Sequence, residues 1–225
     1  MTLGLRTTVL SPAAVAGEYS AVLLDLDGTL VDSQASIDRA WSEWCRRYDV
    51  DHSEVAHLVQ GRTAVDLIGT VRPGWPRARV TEAARFQLQV QEEDPEPGTA
   101  AAGARELLEA LASESRWAVV TACSERLARH RLASSGLPEP RVLVSVEDVA
   151  RGKPDPEPYL VGAGRSDADP ADCLVIEDAP AGVRSGLAAG CAVVAVATTH
   201  AASDLREAAA VISDLTQLRM AARVR

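Results

Sequence analysis

Short apolar runs bounded by turn-forming residues recur at Ala21–Leu24, Trp117–Val120, Val142–Val144, Cys173–Ile176, Ala192–Val196 and Val211–Ile212. Runs of this length without a polar position predict strands covered on both faces, as in a parallel sheet. Between them the apolar residues take helical spacing, over Thr99–Ser113 with Leu107, Leu108 and Leu111, and over Glu125–Ser134, Glu157–Val161 and Pro180–Ala189. Gly190 stands at the stop position of the last. Strands alternating with helices over short connections predict a doubly wound, Rossmann-like α/β core.

One interval breaks the alternation. From Ser36 to Glu96 the chain reads helical throughout, beginning with Ile37, Ala40, Trp41, Trp44, Cys45 and Tyr48 at the i, i+3, i+4, i+7 positions of an amphipathic helix. Gly61 and Pro73-Gly74-Trp75-Pro76 punctuate it, and Asp94-Pro95-Glu96-Pro97-Gly98 has the composition of a hinge back to the sheet. The expected organisation is a core of residues 1–34 and 98–225, with a helical domain inserted after the first strand at 35–97.

Composition narrows the class. With 47% apolar and 24% charged residues, the 225-residue chain suits a globular protein with an aliphatic interior. A net charge of -9 argues against a nucleic-acid surface, which needs clustered cations. Cys45, Cys123, Cys173 and Cys191 form no Cys-x-x-Cys pair and sit mostly in apolar runs, so buried thiols in a reducing cytoplasm are expected. The stretch from Val9 to Gly17 imitates a secretion signal, but Ser11-Pro12 interrupts it, and no apolar run reaches bilayer length.

Ligands of such sheets collect at the carboxyl ends of the strands. After the first strand come Asp25, Asp27 and Thr29; after the second, Thr121-Ala122-Cys123-Ser124; before Pro154, Lys153; after the fourth, Glu177-Asp178. Asp25 and Asp27, spaced i, i+2 on an extended strand end, fall on one side. Clustered acids there suggest a Mg²⁺ site, and an aspartate can attack phosphorus when a cation screens its charge. Lys153 stands out because the 23 cationic residues are 22 Arg and this one Lys.

That ordered set resembles the haloacid dehalogenase-like superfamily of aspartate-nucleophile phosphohydrolases. Asp25-x-Asp27-Gly28-Thr29 is similar to its first motif, Thr121 to its second, Lys153 to its third and Glu177-Asp178 to its fourth. The resemblance implies that Asp25 attacks phosphorus to give an aspartyl-phosphate, and that Asp27 first protonates the leaving oxygen and then takes a proton from water. It implies that Thr121 and the Ala122 amide bind a phosphoryl oxygen and that Lys153 neutralises both that group and Asp25. Asp178, with Glu177, would hold Mg²⁺ together with Asp25 and the Asp27 backbone carbonyl.

The helical insertion resembles the family's type-one cap, which selects small phosphorylated metabolites over macromolecules or membranes, in a monomer or homodimer. Gly61-Arg62-Thr63-Ala64-Val65-Asp66, Arg116-Trp117-Ala118-Val119-Val120-Thr121 and Gly152-Lys153-Pro154-Asp155-Pro156-Glu157-Pro158-Tyr159 resemble the sugar-phosphate and glycerol-phosphate phosphatase branch. Arg62 is the candidate substrate ligand of the cap, with a surface salt bridge as the alternative. Motif two departs from the usual pattern by carrying Ala122-Cys123 in place of Ser-Gly. The competing enzyme is a β-phosphoglucomutase-like isomerase, in which the early cap helix supplies a histidine; the comparable position here is Ile37, which favours hydrolysis. A phosphosugar-binding protein without turnover is the non-enzyme alternative, and the presence of Asp25, Asp27, Lys153 and Asp178 together speaks against it. His52, His57, His130 and His200 are expected at the surface or in packing.

Overall fold

The computed structural model describes residues 7–56, 58–59, 63–112 and 117–220. The chain runs β1 (Thr7–Ser11), β2 (Gly17–Tyr19), β3 (Ala21–Leu24), β4 (Val31–Asp32), α1 (Gln34–Tyr48), α2 (Ser53–Ala56), α3 (Ala64–Val71), α4 (Arg77–Glu92), β5 (Thr99–Ala100), α5 (Ala104–Ala112), β6 (Trp117–Val120), α6 (Glu125–Ser134), β7 (Val142–Val144), α7 (Glu157–Arg165), β8 (Cys173–Glu177), α8 (Pro180–Ala188), β9 (Ala192–Val196), β10 (Ala210–Ile212) and β11 (Arg219–Met220). Six strands form a parallel sheet in the order β10-β9-β8-β3-β6-β7. This is the expected α/β core, with β3 and β8 paired at its centre from Ala21↔Cys173 to Leu24↔Ile176.

Because strand side chains alternate, each strand feeds two cores. Val22, Leu24, Val119 and Ile176 pack with Leu107, Leu108 and Leu111 of α5 and Leu132 of α6 on one face. Leu23, Ala118, Val120 and Val175 pack with Tyr159 of α7 and Val183 of α8 on the other. Each fully buried Leu or Val contributes about 1.5–3 kcal/mol of transfer free energy, so the sheet is a stiff platform for whatever its strand ends carry.

One feature differs from the sequence expectation and a second adds to it. The helix expected over Thr99–Ser113 begins only at Ala104; Thr99 and Ala100 instead pair antiparallel with Asp32 and Val31, where the chain leaves the core and returns to it. Local propensity in an Ala-rich segment does not carry that long-range pairing. The segment around Val9 forms an antiparallel sheet in the order β11-β1-β2 and buries Val9 and Val15 against the core.

Helices α1 to α4 share a core of their own, built on Trp41, Trp44, Leu67, Ile68, Val80 and Ala83, with the Trp44 ring 5.5 Å from Trp41 and 5.2 Å from Tyr48. The aromatic stripe of α1 therefore serves packing. Among the described residues no helix is long and apolar enough to cross a membrane.

Candidate active site

The backbone fixes the acids first. The Asp25 amide donates to the Ile176 carbonyl at 3.0 Å, extending the β3–β8 ladder by one residue. Alternation then turns Asp25 and Asp27 to the cavity and buries Leu26 in the core. Gly28 turns the chain away with φ of 82°, and a Cβ there would collide with the Asp178 carboxylate and the Thr199 side chain. Only glycine suits that position.

Lys153 lies in the loop between β7 and α7 and is 9% exposed in its side chain. Its ammonium donates to Asp25 Oδ1 at 2.6 Å, Glu177 Oε1 at 2.6 Å and the Val120 carbonyl at 2.9 Å, so all three N–H groups are used. Glu177 is held in turn. The Tyr159 hydroxyl donates to Oε1 at 3.0 Å, the Asp178 and Ala179 amides donate to Oε2 at 2.9 and 3.1 Å, and a Cβ at Gly182 would overlap the carboxylate.

Thr121 continues β6 by donating its amide to the Val144 carbonyl at 2.9 Å, and its Oγ1 accepts from the Cys123 amide at 3.2 Å. Ser124 caps α6 by accepting from the Leu127 amide at 3.2 Å. The Ala122-Cys123 variation therefore leaves the turn and its hydroxyl in place. The Asp178 carboxylate accepts from the Thr199 hydroxyl, and the Thr198 hydroxyl donates to the Gly28 carbonyl at 2.5 Å. His200 places Nδ1 3.1 Å from the Asp178 carbonyl, at the edge of the site and not in remote packing.

Asp25, Asp27, Thr121, Ala122, Lys153, Glu177 and Asp178, drawn from four separate stretches of sequence, all line one cavity of about 380 Å³. Its far wall is the helical unit, which contributes Ile37 and Trp41 of α1 and Gln87 and Gln91 of α4. Arg62, with Gly61, Gln60 and His57, lies outside the described residues. Sequence reasoning gave no role to Arg131, Tyr159 or Thr199. For Arg131 a signal existed: with Leu127, Ala128 and Leu132 it falls on the apolar stripe of α6, and it is only 1% exposed.

Three buried carboxylates face a single ammonium. Burial pushes the Asp25 carboxyl well above its ordinary range, against the pull of Lys153 and with added repulsion from Glu177 and Asp178. Burial and then Glu177 push Asp178 up to about 8. Burial alone would depress the Lys153 ammonium, but the Asp25 and Glu177 carboxylates outweigh it and hold the group charged. Oxygens of Asp25, Glu177 and Asp178 lie within 4.8 Å of one another, an all-oxygen set with excess negative charge that fits a hard divalent cation.

The crowding has a pH signature. Asp178 has a folded-state pKa of about 8 against 3.8 ordinarily, so its contribution to stability is fully present below the lower value and lost as pH rises through the higher. The metal-free protein is expected to show a Tm that falls between pH 5 and 8.5. In Asp178→Asn the fall should flatten, and Mg²⁺ should raise the wild-type Tm but leave that of the variant unmoved. A wild-type Tm indifferent to both pH and Mg²⁺ would contradict the electrostatic picture.

A carboxylate-tipped central strand, a buried lysine bridging two acids and a polar turn at the next strand end together form the candidate active site. The chain belongs to the haloacid dehalogenase-like hydrolase family, whose model matches residues 19–190. It is 41% identical over 197 residues to hexitol phosphatase A of Escherichia coli (strain K12), covering 87% of this chain and 91% of that protein. It is 30% identical over 217 residues to glycerol-1-phosphate phosphohydrolase 2 of Saccharomyces cerevisiae (strain ATCC 204508 / S288c), covering 91% and 83%. Among solved structures, a hydrolase from Pseudomonas syringae superposes with a TM-score of 0.74 at 25% identity, covering 88% of this chain and 95% of that one.

Proposed function

We propose that the protein is a Mg²⁺-dependent phosphatase that hydrolyses a small sugar phosphate or polyol phosphate through an aspartyl-phosphate on Asp25. The observation that carries the reading is Lys153, bonded at once to Asp25 and Glu177 on the floor of a cavity roofed by helices. The relatives named above, both phosphatases of small polyol phosphates by name, support the substrate class.

Asp25 supplies the attacking oxygen. As its bond to phosphorus forms, the ester P–O bond breaks and the departing alkoxide takes a proton from Asp27. Asp27 then removes a proton from water, whose oxygen attacks phosphorus and releases inorganic phosphate and Asp25. Lys153 fixes the rotamer of Asp25 and offsets phosphoryl charge, while Thr121 and the Ala122 amide serve a phosphoryl oxygen. When bound by Asp25, Asp178 and the Asp27 carbonyl, Mg²⁺ supplies the screening that lets a phosphate anion approach a carboxylate. Glu177 can reach that cation only with an oxygen that already accepts two donors, so holding Lys153 is its first role.

The helices α1 to α4 act as a cap, residues 35–97 against a core of 1–34 and 98–225, and exclude bulk water from the cavity. Ile37 lines the same cavity as Asp27 and offers no proton-handling group, which favours water over a second sugar hydroxyl as acceptor. A phosphate-release screen with Mg²⁺ over glycerol, hexitol, hexose and pentose phosphates is expected to give turnover on at least one polyol or sugar ester. Hexose-1-phosphate should give free phosphate or no reaction. Isomerisation to the 6-phosphate would favour a mutase, and no release from any ester would overturn the phosphatase reading.

A further inference from the structure

Arg131 sits in the last turn of α6, almost wholly removed from solvent, with its guanidinium between three segments that are remote in sequence. One terminal nitrogen donates to Asp27 Oδ2 at 2.5 Å, the other to Gln91 Oε1 on α4 at 2.6 Å, and Nε donates to the Pro97 carbonyl at 3.3 Å. The other oxygen of Asp27 accepts from the Ser33 hydroxyl at 2.7 Å. Ser33 precedes α1 where the chain leaves the core, and Pro97 precedes β5 where it returns. Both crossings therefore touch the bonding network of one carboxylate.

The network continues into the roof of the cavity. Gln91 Nε2 donates to Gln87 Oε1 at 3.0 Å, and Gln87, itself 3% exposed, lines the cavity. The chain from Asp27 through Arg131 and Gln91 therefore ends on an amide that lines the cavity. Glu92, next to Gln91, accepts from the Ser124 hydroxyl at 2.7 Å and lies 3.4 Å from Arg126, which seats the end of α4 on α6.

A buried ion pair by itself is weak evidence of stabilisation, because desolvation cancels much of the attraction. What sets this one apart is that its anion is the proposed acid and base, and that a rigid guanidinium fork fixes direction as well as charge. Resting on the phosphatase reading above, we infer that Arg131 is a positioning residue: it orients the Asp27 carboxyl toward the leaving oxygen and ties that orientation to the seating of α4 through Gln91. Residues on the cap side of the cavity thereby influence proton delivery without touching the phosphate.

The test uses leaving groups. An alkyl ester such as a hexitol or glycerol phosphate needs a proton on its departing oxygen, whereas p-nitrophenolate leaves without one. With Mg²⁺ present, kcat/KM for each covers events up to alcohol or phenolate release, which is the step in question. Arg131→Met is expected to lose about 30- to 100-fold on the alkyl ester, within the range of a misplaced general acid, and less than threefold on p-nitrophenyl phosphate. Arg131→Lys should recover part of the selective loss. Gln91→Ala, at a half-buried position that a folded protein tolerates, should show the same selectivity at smaller size, and the double variant should be no worse than Arg131→Met alone. Equal losses on the two esters, a gain in activity, or additive effects of the two positions would overturn the inference while leaving the phosphatase reading intact. If Arg131→Met does not fold, Gln91→Ala carries the same comparison. A wild-type enzyme inactive on both esters would overturn the phosphatase reading and this inference with it.

Discussion

Asp25→Asn is expected to lower kcat on any accepted phosphate ester by at least about 10⁴-fold, roughly 5.4 kcal/mol of barrier, while the protein stays folded. The amide is isosteric with the carboxylate but has no anionic oxygen to attack phosphorus. Nothing in the packing should object, because Lys153 keeps its bonds to Glu177 and the Val120 carbonyl. The metal-free variant should even gain stability, since one of three crowded buried carboxylates has lost its charge. Circular dichroism and a thermal melt would establish the fold, and single-turnover assays with ³²P-labelled ester would show whether label reaches the protein. Turnover within tenfold of wild type would exclude Asp25 as the nucleophile.

Lys153→Arg, conservative in charge, is expected to cost at least about tenfold in kcat. One ammonium nitrogen directs three N–H groups at three acceptors, two carboxylates and a carbonyl, from a single point. A guanidinium spreads its donors in a plane and adds volume in a site where the Tyr159 ring centroid lies 5.0 Å from the nitrogen, so overpacking should cost a further 1–3 kcal/mol or so of stability. Lys153→Met removes the charge outright and leaves the acids uncompensated, a loss of about 3–5 kcal/mol for a broken buried pair. Kinetics of Lys153→Arg matching wild type would mean that positive charge alone is required, and the geometry around Glu177 would lose its proposed purpose.

The residues that read clearly from the sequence were those whose local pattern is their structure. Strand runs apolar at every position are buried on both sides, and acids that stop such a run stand at a strand end, so Asp25, Asp27 and Glu177-Asp178 could be placed without coordinates. Arg131 reached the site differently. Its partners, Asp27, Gln91 and Pro97, lie 34 to 104 residues away, and no local pattern encodes that convergence; the only trace was a charge on the apolar stripe of α6. Thr199 was equally hidden, since its contact to Asp178 depends on how the loop after β9 folds back over the turn at Gly28. The short β4–β5 pair was invisible for the same reason: two residues on each side, joined only because α1 to α4 fold as a unit between them.

The chain carries its only lysine side chain at the floor of its cavity. Reagents that acylate, carbamylate or reductively methylate ε-amines therefore have one side-chain target, and that amine is buried and held as an ammonium by Asp25 and Glu177. Such reagents act through an accessible neutral amine, so the native fold withholds its one ε-amine from them and unfolding exposes it. The surface cations, all arginine among the described residues, stay outside that chemistry.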